Sequence, residues 1–317
     1  MAQPDGIPTV LGEIGADQLG GILPHEHVVT ASAGMWDVYP EIFGDHRALD
    51  ARAITALRQL RTTEFRTIVD LTPHDLGRDV PLLKRVSARS GVNIIIATGC
   101  WLDPPRALAA RTPKEVAALF IRELTQGIAG TDARAAVIKV ASEGEITDAA
   151  RTILQASAIA SRDTGAPVYT HSASATRDGL RQLDVLVAAG ADARRVCIGH
   201  SNDTSDLAYL TELAQRGAYI GLDRFPGYVG AGLDERIDFV TTLIDNGLID
   251  RLLLSHDWAV EYSHGQPPRD GAAVNDHGYR LIADVVLPRL RSAGATEATI
   301  RTLTHDNPRR FLTGACA

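Results

Sequence analysis

Two imidazoles one residue apart, His25 and His27, close the short apolar run Gly21-Ile22-Leu23-Pro24-His25-Glu26-His27-Val28-Val29. On a β-strand alternate side chains share a face, so both rings point the same way and could bind one metal ion. A lone His-x-His is a weak signal whose commoner meaning is structural. It gains force because ligand-type residues recur in later apolar runs. Lys139 lies inside Ala136-Val-Ile-Lys-Val-Ala141, and His171 ends Pro167-Val-Tyr-Thr-His171. His200 ends Arg195-Val-Cys-Ile-Gly-His200, and Asp257 ends Arg251-Leu-Leu-Leu-Ser-His-Asp257. Each has an ordinary explanation alone: a hydrogen-bonded histidine, a lysine that snorkels or pairs with Glu143 or Glu145, an N-capping aspartate. An unpaired lysine is almost never fully buried, however. Ion pairing gives no reason for it to share a register with four histidines. His46, His74, His264, His277 and His305 are assigned to ordinary structural roles.

Imidazole nitrogen and carboxylate oxygen suit Zn²⁺, Co²⁺, Mn²⁺ or Fe²⁺. Six side chains exceed the ligand set of one tetrahedral ion, so two divalent metals are expected, zinc first among them. Two metals need a bridge, which a protonated lysine cannot supply. A lysine held neutral in an apolar strand can react with CO₂ to give a carbamate. The two oxygens of that carbamate can each take a metal, so a CO₂-derived carbamate is expected on Lys139.

The elements that must position these groups form a repeat. The other apolar runs are Arg66–Pro73, Val92–Thr98 and Ala218–Asp223, which brings the set to eight. Helical periodicity fills residues 48–61, 80–90, 114–127, 148–164, 179–189, 206–216 and 235–246. Gly165, Gly190, Gly217 and Gly247 stand where helices commonly stop. Such alternation predicts parallel strands with right-handed crossovers. An open doubly wound sheet gathers its ligand groups at one switch point. Here they end five of the strands, which favours an α/β fold of the closed (β/α)₈ TIM-barrel type, with the metal site at the C-terminal ends of the strands. No break in composition divides the chain, so residues 1–317 read as one domain. Residues 225–233 and 260–277 read as long loops over the same mouth.

Composition narrows the function. The chain has 317 residues, 45% hydrophobic and 22% charged, as ordinary globular domains do. A net charge of −7 without a basic block argues against a nucleic-acid partner. Cys100, Cys197 and Cys316 are too scattered for a disulfide framework or a cysteine zinc site, which fits a reducing cytoplasm. The start, Met1 to Gly6, lacks the basic and apolar regions of a signal peptide. No run reaches the roughly 20 apolar residues of a membrane span. No Gly-x-Gly-x-x-Gly or Walker string supports a nucleotide-binding open sheet.

The motifs, in order, resemble those of the phosphotriesterase family of the amidohydrolase superfamily, whose members are binuclear-metal (β/α)₈ barrels. The matching strings are His25-Glu-His27, Ile138-Lys139-Val140, Thr170-His171, Gly199-His200-Ser201 and Ser255-His256-Asp257-Trp258. Further matches are Ala97-Thr-Gly-Cys-Trp-Leu-Asp-Pro-Pro105, Gly221-Leu-Asp-Arg224 and Asn307-Pro-Arg-Arg-Phe-Leu312. The resemblance implies that His25, His27 and Asp257 hold the more buried metal, and His171 and His200 the more exposed one. Carboxylated Lys139 and a hydroxide would bridge them. The hydroxide would attack a polarised C=O or P=O centre while Asp257 takes its proton. A homodimer is implied as well.

Substrate cues point two ways. Trp101, in a Gly-x-Trp-x-Asp-Pro-Pro string, resembles a phosphotriesterase pocket wall. Arg224, in Gly-Leu-Asp-Arg, resembles the family's lactonases, where organophosphate specialists carry His. Asp203 matches a carboxylate that continues the proton path from Asp257; with Arg224 in place of His that path is altered, and Asp203 could instead pair with Arg224. Phe225 and Tyr228 of the Gly-rich loop, and Trp258, join Trp101 and Arg224 as expected substrate contacts. The expectation is a lactone or ester hydrolase with phosphotriesterase activity on organophosphates. The alternatives are a dedicated aryldialkylphosphatase and a non-catalytic metal-binding barrel.

Overall fold

The β-branched and aliphatic runs form eight parallel strands. They are β1 (Gly21–Glu26), β2 (Phe65–Asp70), β3 (Asn93–Gly99), β4 (Val137–Ala141), β5 (Val168–His171), β6 (Val196–Ile198), β7 (Tyr219–Leu222) and β8 (Leu252–Leu254). The structure is a computed structural model describing residues 6–39, 41, 46–102, 104–227, 230–263 and 269–314. Strand order in the sheet follows chain order, as successive right-handed crossovers require. The two ends of the sheet meet. The Asp257 N–H donates to the His25 carbonyl at 3.0 Å, and the His27 N–H donates to the Trp258 carbonyl at 2.9 Å. The result is a (β/α)₈ barrel.

Among the described residues the longer helices between strands are α1 (His46–Leu60), α2 (Val80–Ser90), α3 (Pro113–Thr125), α4 (Asp148–Thr164), α5 (Asp178–Ala188), α6 (Leu207–Gln215) and α7 (Leu233–Asp245). Their starts follow local chemistry. The Asp79 carboxylate accepts from Leu82 N–H at 2.9 Å, and Thr112 forms a capping box with Glu115. The left-handed φ of +78° at Gly165 ends α4, a conformation that costs other residues a Cβ clash.

Period two divides each strand between two cores. Ile22, Val69, Ile95, Val137, Tyr169, Cys197, Tyr219 and Leu253 fill the barrel. Ile68, Ile94, Ile138, Val140, Ile198 and Leu254 face the helices. A C-terminal helix, Asn307–Thr313, closes the base, with Phe311 against the rings of Tyr169 and Tyr219 at 5.9 and 5.4 Å. Lys139 lies two residues beyond Val137, and His171 two beyond Tyr169, so both point inward at the opposite, C-terminal mouth. β1 needs an extra device, because strict alternation from Ile22 would turn His25 outward. Its ladder to β2 shifts register between Leu23 and Glu26. Pro24 has no N–H to lose there, and the irregularity brings both histidines inside.

The strands stop short of the runs read from sequence. His200 and Asp257 have φ of +59° and +55°. A left-handed residue cannot continue a ladder, so the chain turns at each of these candidate ligands. Residues 260–277 are not wholly loop. Glu261–Ser263 pairs in parallel with Val29–Ala31 and antiparallel with Arg269–Asp270. No helix among the described residues is long and apolar enough to cross a membrane.

Candidate metal centre

At the mouth the strand ends bring six predicted ligands together. His25 Nε2 is 3.2 Å from Asp257 Oδ1 and 3.1 Å from Lys139 Nζ. His27 Nε2 is 3.1 Å from the same Asp257 oxygen. His171 Nδ1 and His200 Nε2 face each other at 2.7 Å. All four rings and the lysine are buried.

The other nitrogen of each ring has an outer partner, and of these partners sequence pointed only to Glu143, as a possible mate of Lys139. Asp223 takes both His25 Nδ1–H, at 2.7 Å, and His200 Nδ1–H, at 3.0 Å. It also accepts from the Tyr169 hydroxyl at 2.8 Å and the His200 backbone N–H at 2.8 Å. Thr72 Oγ1 holds His27 Nδ1 at 2.8 Å, and Glu143 Oε1 holds His171 Nε2 at 2.7 Å. Glu143 therefore serves His171, not Lys139. Gly221 is required by this arrangement, because a Cβ there would meet the Tyr169 hydroxyl at 2.5 Å. Outer partners of this kind fix the tautomer and aim the remaining lone pair, as they do at histidine metal sites.

The donor set fits a cation. With Asp223 and Glu143 fixing the tautomers, the facing nitrogens of His171 and His200 both carry lone pairs, which repel unless a positive charge lies against them. Asp257 Oδ1 lies 3.1–3.2 Å from the inner nitrogens of His25 and His27, near the roughly 3.3 Å edge of a tetrahedral zinc site. Two triads, His25–His27–Asp257 and His25–His200–Asp223, have ligand atoms within 4.8 Å of one another. The second uses the outer face of the rings. Asp223 is already saturated by four donors, so we assign it to orientation and keep the inner nitrogens for metal.

Electrostatics favour neutral nitrogen at His171, His200 and Lys139, whereas at His25 burial would lower the imidazole but the Asp257 and Asp223 carboxylates outweigh it and raise it above its usual value. Burial pulls the His171 and His200 imidazoles below their usual range, well below for His200, so both stay neutral as ligands must. Burial raises the Asp257 carboxyl, but the imidazoles of His25, His27 and His200 outweigh it and hold it well below the usual carboxylate range. Burial also lowers the Lys139 ammonium to about 8, the carboxylates of Asp257 and Asp223 offsetting only part. A usable fraction of neutral amine follows at physiological pH.

Around this centre, Arg224 Nη1 donates to Asp203 Oδ2 at 2.6 Å, and its Nε reaches Asp257 Oδ2 at 3.4 Å. Asp203 also accepts from buried Arg236 at 2.9 Å. The half-buried Trp101 ring stands edge-on to His171, centroids 5.9 Å apart. Two other expected contacts, Phe225 and Trp258, are buried. Phe225 lies in the layer between barrel and helices. Trp258 packs on Tyr279 at 4.5 Å and donates its indole N–H to the Gly271 carbonyl at 2.9 Å. Tyr228 lies outside the described residues.

Comparison with known proteins places this geometry. A profile of the phosphotriesterase family matches residues 5–312. A phosphotriesterase homology protein of Mycobacterium tuberculosis is 35% identical over 316 residues, 96% of each chain. An aryldialkylphosphatase of Saccharolobus solfataricus is 30% identical over 304 residues, 94% of this chain and 96% of its own. An N-acetyltaurine hydrolase of Danio rerio is 26% identical over 348 residues, 97% of each. The chain belongs to the phosphotriesterase family, and it is a phosphotriesterase-like hydrolase.

Proposed function

We propose that the chain hydrolyses lactones or carboxylic esters with the help of two divalent metals, and phosphotriesters as a second activity. His25, His27 and Asp257 would hold one ion, His171 and His200 the other, and a carbamate on Lys139 would join them. Bound there, the ions would supply a water of lowered pKa and a Lewis acid for the C=O or P=O oxygen.

The residues around the ions carry the choice of substrate. Asp257 accepts the attacking water's proton at the mouth. Arg224 stands on its outward side, fixed by Asp203. Burial would lower this guanidinium's pKa, but Asp257 and Asp203 outweigh that and hold it above its usual value. It cannot accept a proton, and so cannot relay one towards Asp203. The proton on Asp257 then returns to the substrate. An alkoxide leaving group, as in a lactone or alkyl ester, needs that proton; a phenolate leaving a phosphotriester does not. This capped aspartate is the observation that supports the lactone and ester reading. The edge-on Trp101 beside His171 favours the second reading, a dedicated phosphotriesterase with an aromatic leaving group against that wall.

The test compares kcat/KM on an aliphatic lactone and on an aryl dialkyl phosphate. The reading expects the larger value on the lactone. A much larger value on the phosphate would reverse the order.

A further inference from the structure

Glu26 lies between the two first-strand histidines but points the other way, and nothing above gives it a task. It is fully buried. A buried carboxylate is costly unless its oxygens are satisfied, and every bond it makes goes to residues 255–258. Its Oε1 accepts from Ser255 Oγ–H at 2.6 Å, His256 N–H at 2.9 Å and His256 Nδ1–H at 2.6 Å. Its Oε2 accepts from Trp258 N–H at 3.1 Å. The far nitrogen of His256 accepts from Ile282 N–H at 3.0 Å, which fixes that ring as the Nδ1–H tautomer facing Glu26.

The residues on either side of Asp257 thus give their backbone N–H groups to one carboxylate. A chain wrapped that tightly must turn at the residue between, and Asp257 has φ of +55°. Such a φ is uncommon for a residue with a Cβ and persists only where its surroundings impose it. Backbone hydrogen bonds from Asp257 N–H to His25 and from His27 N–H to Trp258 tie this corner to β1, and the Glu26 carboxylate holds the residues on either side of Asp257 in the turn.

We infer that Glu26 is a positioning residue for the metal centre: its carboxylate bends residues 255–258 so that Asp257 is delivered to His25 and His27. The inference rests on the two-metal reading above. One strand therefore contributes in both directions, two imidazoles inward to the metal and one carboxylate outward to place the third ligand.

The test is Co²⁺ binding, followed by chelator competition and by the visible absorption of the bound ion, on wild type, Glu26→Gln and Asn307→Ala. Asn307 clamps the base of β8, donating to the Ile249 and Leu252 carbonyls at 2.7 and 2.8 Å. It supports the same strand without contact to the mouth. Glu26→Gln keeps the shape but puts an NH₂ where a donor already points. It is expected to weaken Co²⁺ binding at the Asp257 site about 10- to 100-fold, the usual effect of losing an outer partner, and to alter the spectrum. Asn307→Ala is expected to lower Tm while leaving affinity and spectrum unchanged. Where Glu26→Gln does not fold, Glu26→Asp decides, with a several-fold loss expected. Unchanged affinity in the Glu26 variant, or equal losses in both variants, overturns the inference. Failure of the wild type to bind Co²⁺ overturns the underlying metal reading instead.

Discussion

Asp223→Asn tests whether the outer partners set the chemistry of the inner ones. The amide has one acceptor and one donor where the carboxylate has two acceptors. Its oxygen can keep the His200 N–H and Nδ1–H, which share Oδ1. Its NH₂ then faces His25 Nδ1 and the Tyr169 hydroxyl, which share Oδ2. The hydroxyl can rotate to accept, but His25 can accept only by moving its proton to Nε2. That nitrogen is the one turned towards Asp257 and Lys139, and a protonated Nε2 has no lone pair for metal. Restoring the right tautomer forfeits a hydrogen bond to a charged group, about 1.5–3 kcal/mol, or roughly 10- to 150-fold in affinity. The loss should fall on the ion held by His25, His27 and Asp257 and largely spare the ion held by His171 and His200. A two-step metal titration by calorimetry, with circular dichroism to confirm folding, measures both constants. Equal weakening of the two steps, or none, would refute the tautomer argument.

Other consequences concern the lysine and the arginine. The Lys139 ammonium falls from 10.5 to about 8, so between those values the unfolded chain holds a proton that the folded chain lacks. Metal-free stability from this group is complete above about pH 10.5 and is lost as pH falls to about 8, a change of about 2–3 kcal/mol. Urea melts at pH 7.5 and 10 in chelator and CO₂-free buffer should show that rise in wild type relative to Lys139→Met; parallel behaviour of the two would contradict it. Lys139→Ala should lose most activity and regain part of it with short carboxylic acids, which replace the bridging carboxylate; no rescue at any acid concentration would count against a carbamate. Arg224→Met removes the cap from Asp257 and should lower kcat/KM on lactones about 10- to 100-fold, the worth of a charge-assisted contact. Phosphotriesters with phenolate leaving groups should suffer less, and a uniform loss on both substrates would separate Arg224 from the proton's return.

The candidate ligands on the strands are legible in the sequence because strand periodicity is local. His25 and His27, or Val137 and Lys139, declare a shared face within a few residues. Helix limits were legible for the same reason, since α2 and α4 run over the residues that periodicity and glycine stops mark. The outer partners were not. Asp223 meets His25 across 198 residues, and Glu26 meets His256 across 230. No local pattern encodes those distances. Glu26, like Lys139, is a charged residue inside an apolar run, but the partners that give it a role lie 229–232 residues away in the chain. The left-handed turns at His200 and Asp257 were hidden because neither residue is glycine. The short strand Glu261–Ser263 depends on a partner, Val29–Ala31, at the opposite end of the barrel's chain order.

Metal content with anomalous scattering tests the centre itself. The protein, purified without chelator or reconstituted with Zn²⁺ and bicarbonate, should hold two ions per chain. Their anomalous peaks should lie between the inner nitrogens of His25, His27, His171 and His200, with planar density continuing from Lys139 Nζ to both. Fewer than one ion per chain, or an unmodified Lys139 remote from any peak, would contradict the account.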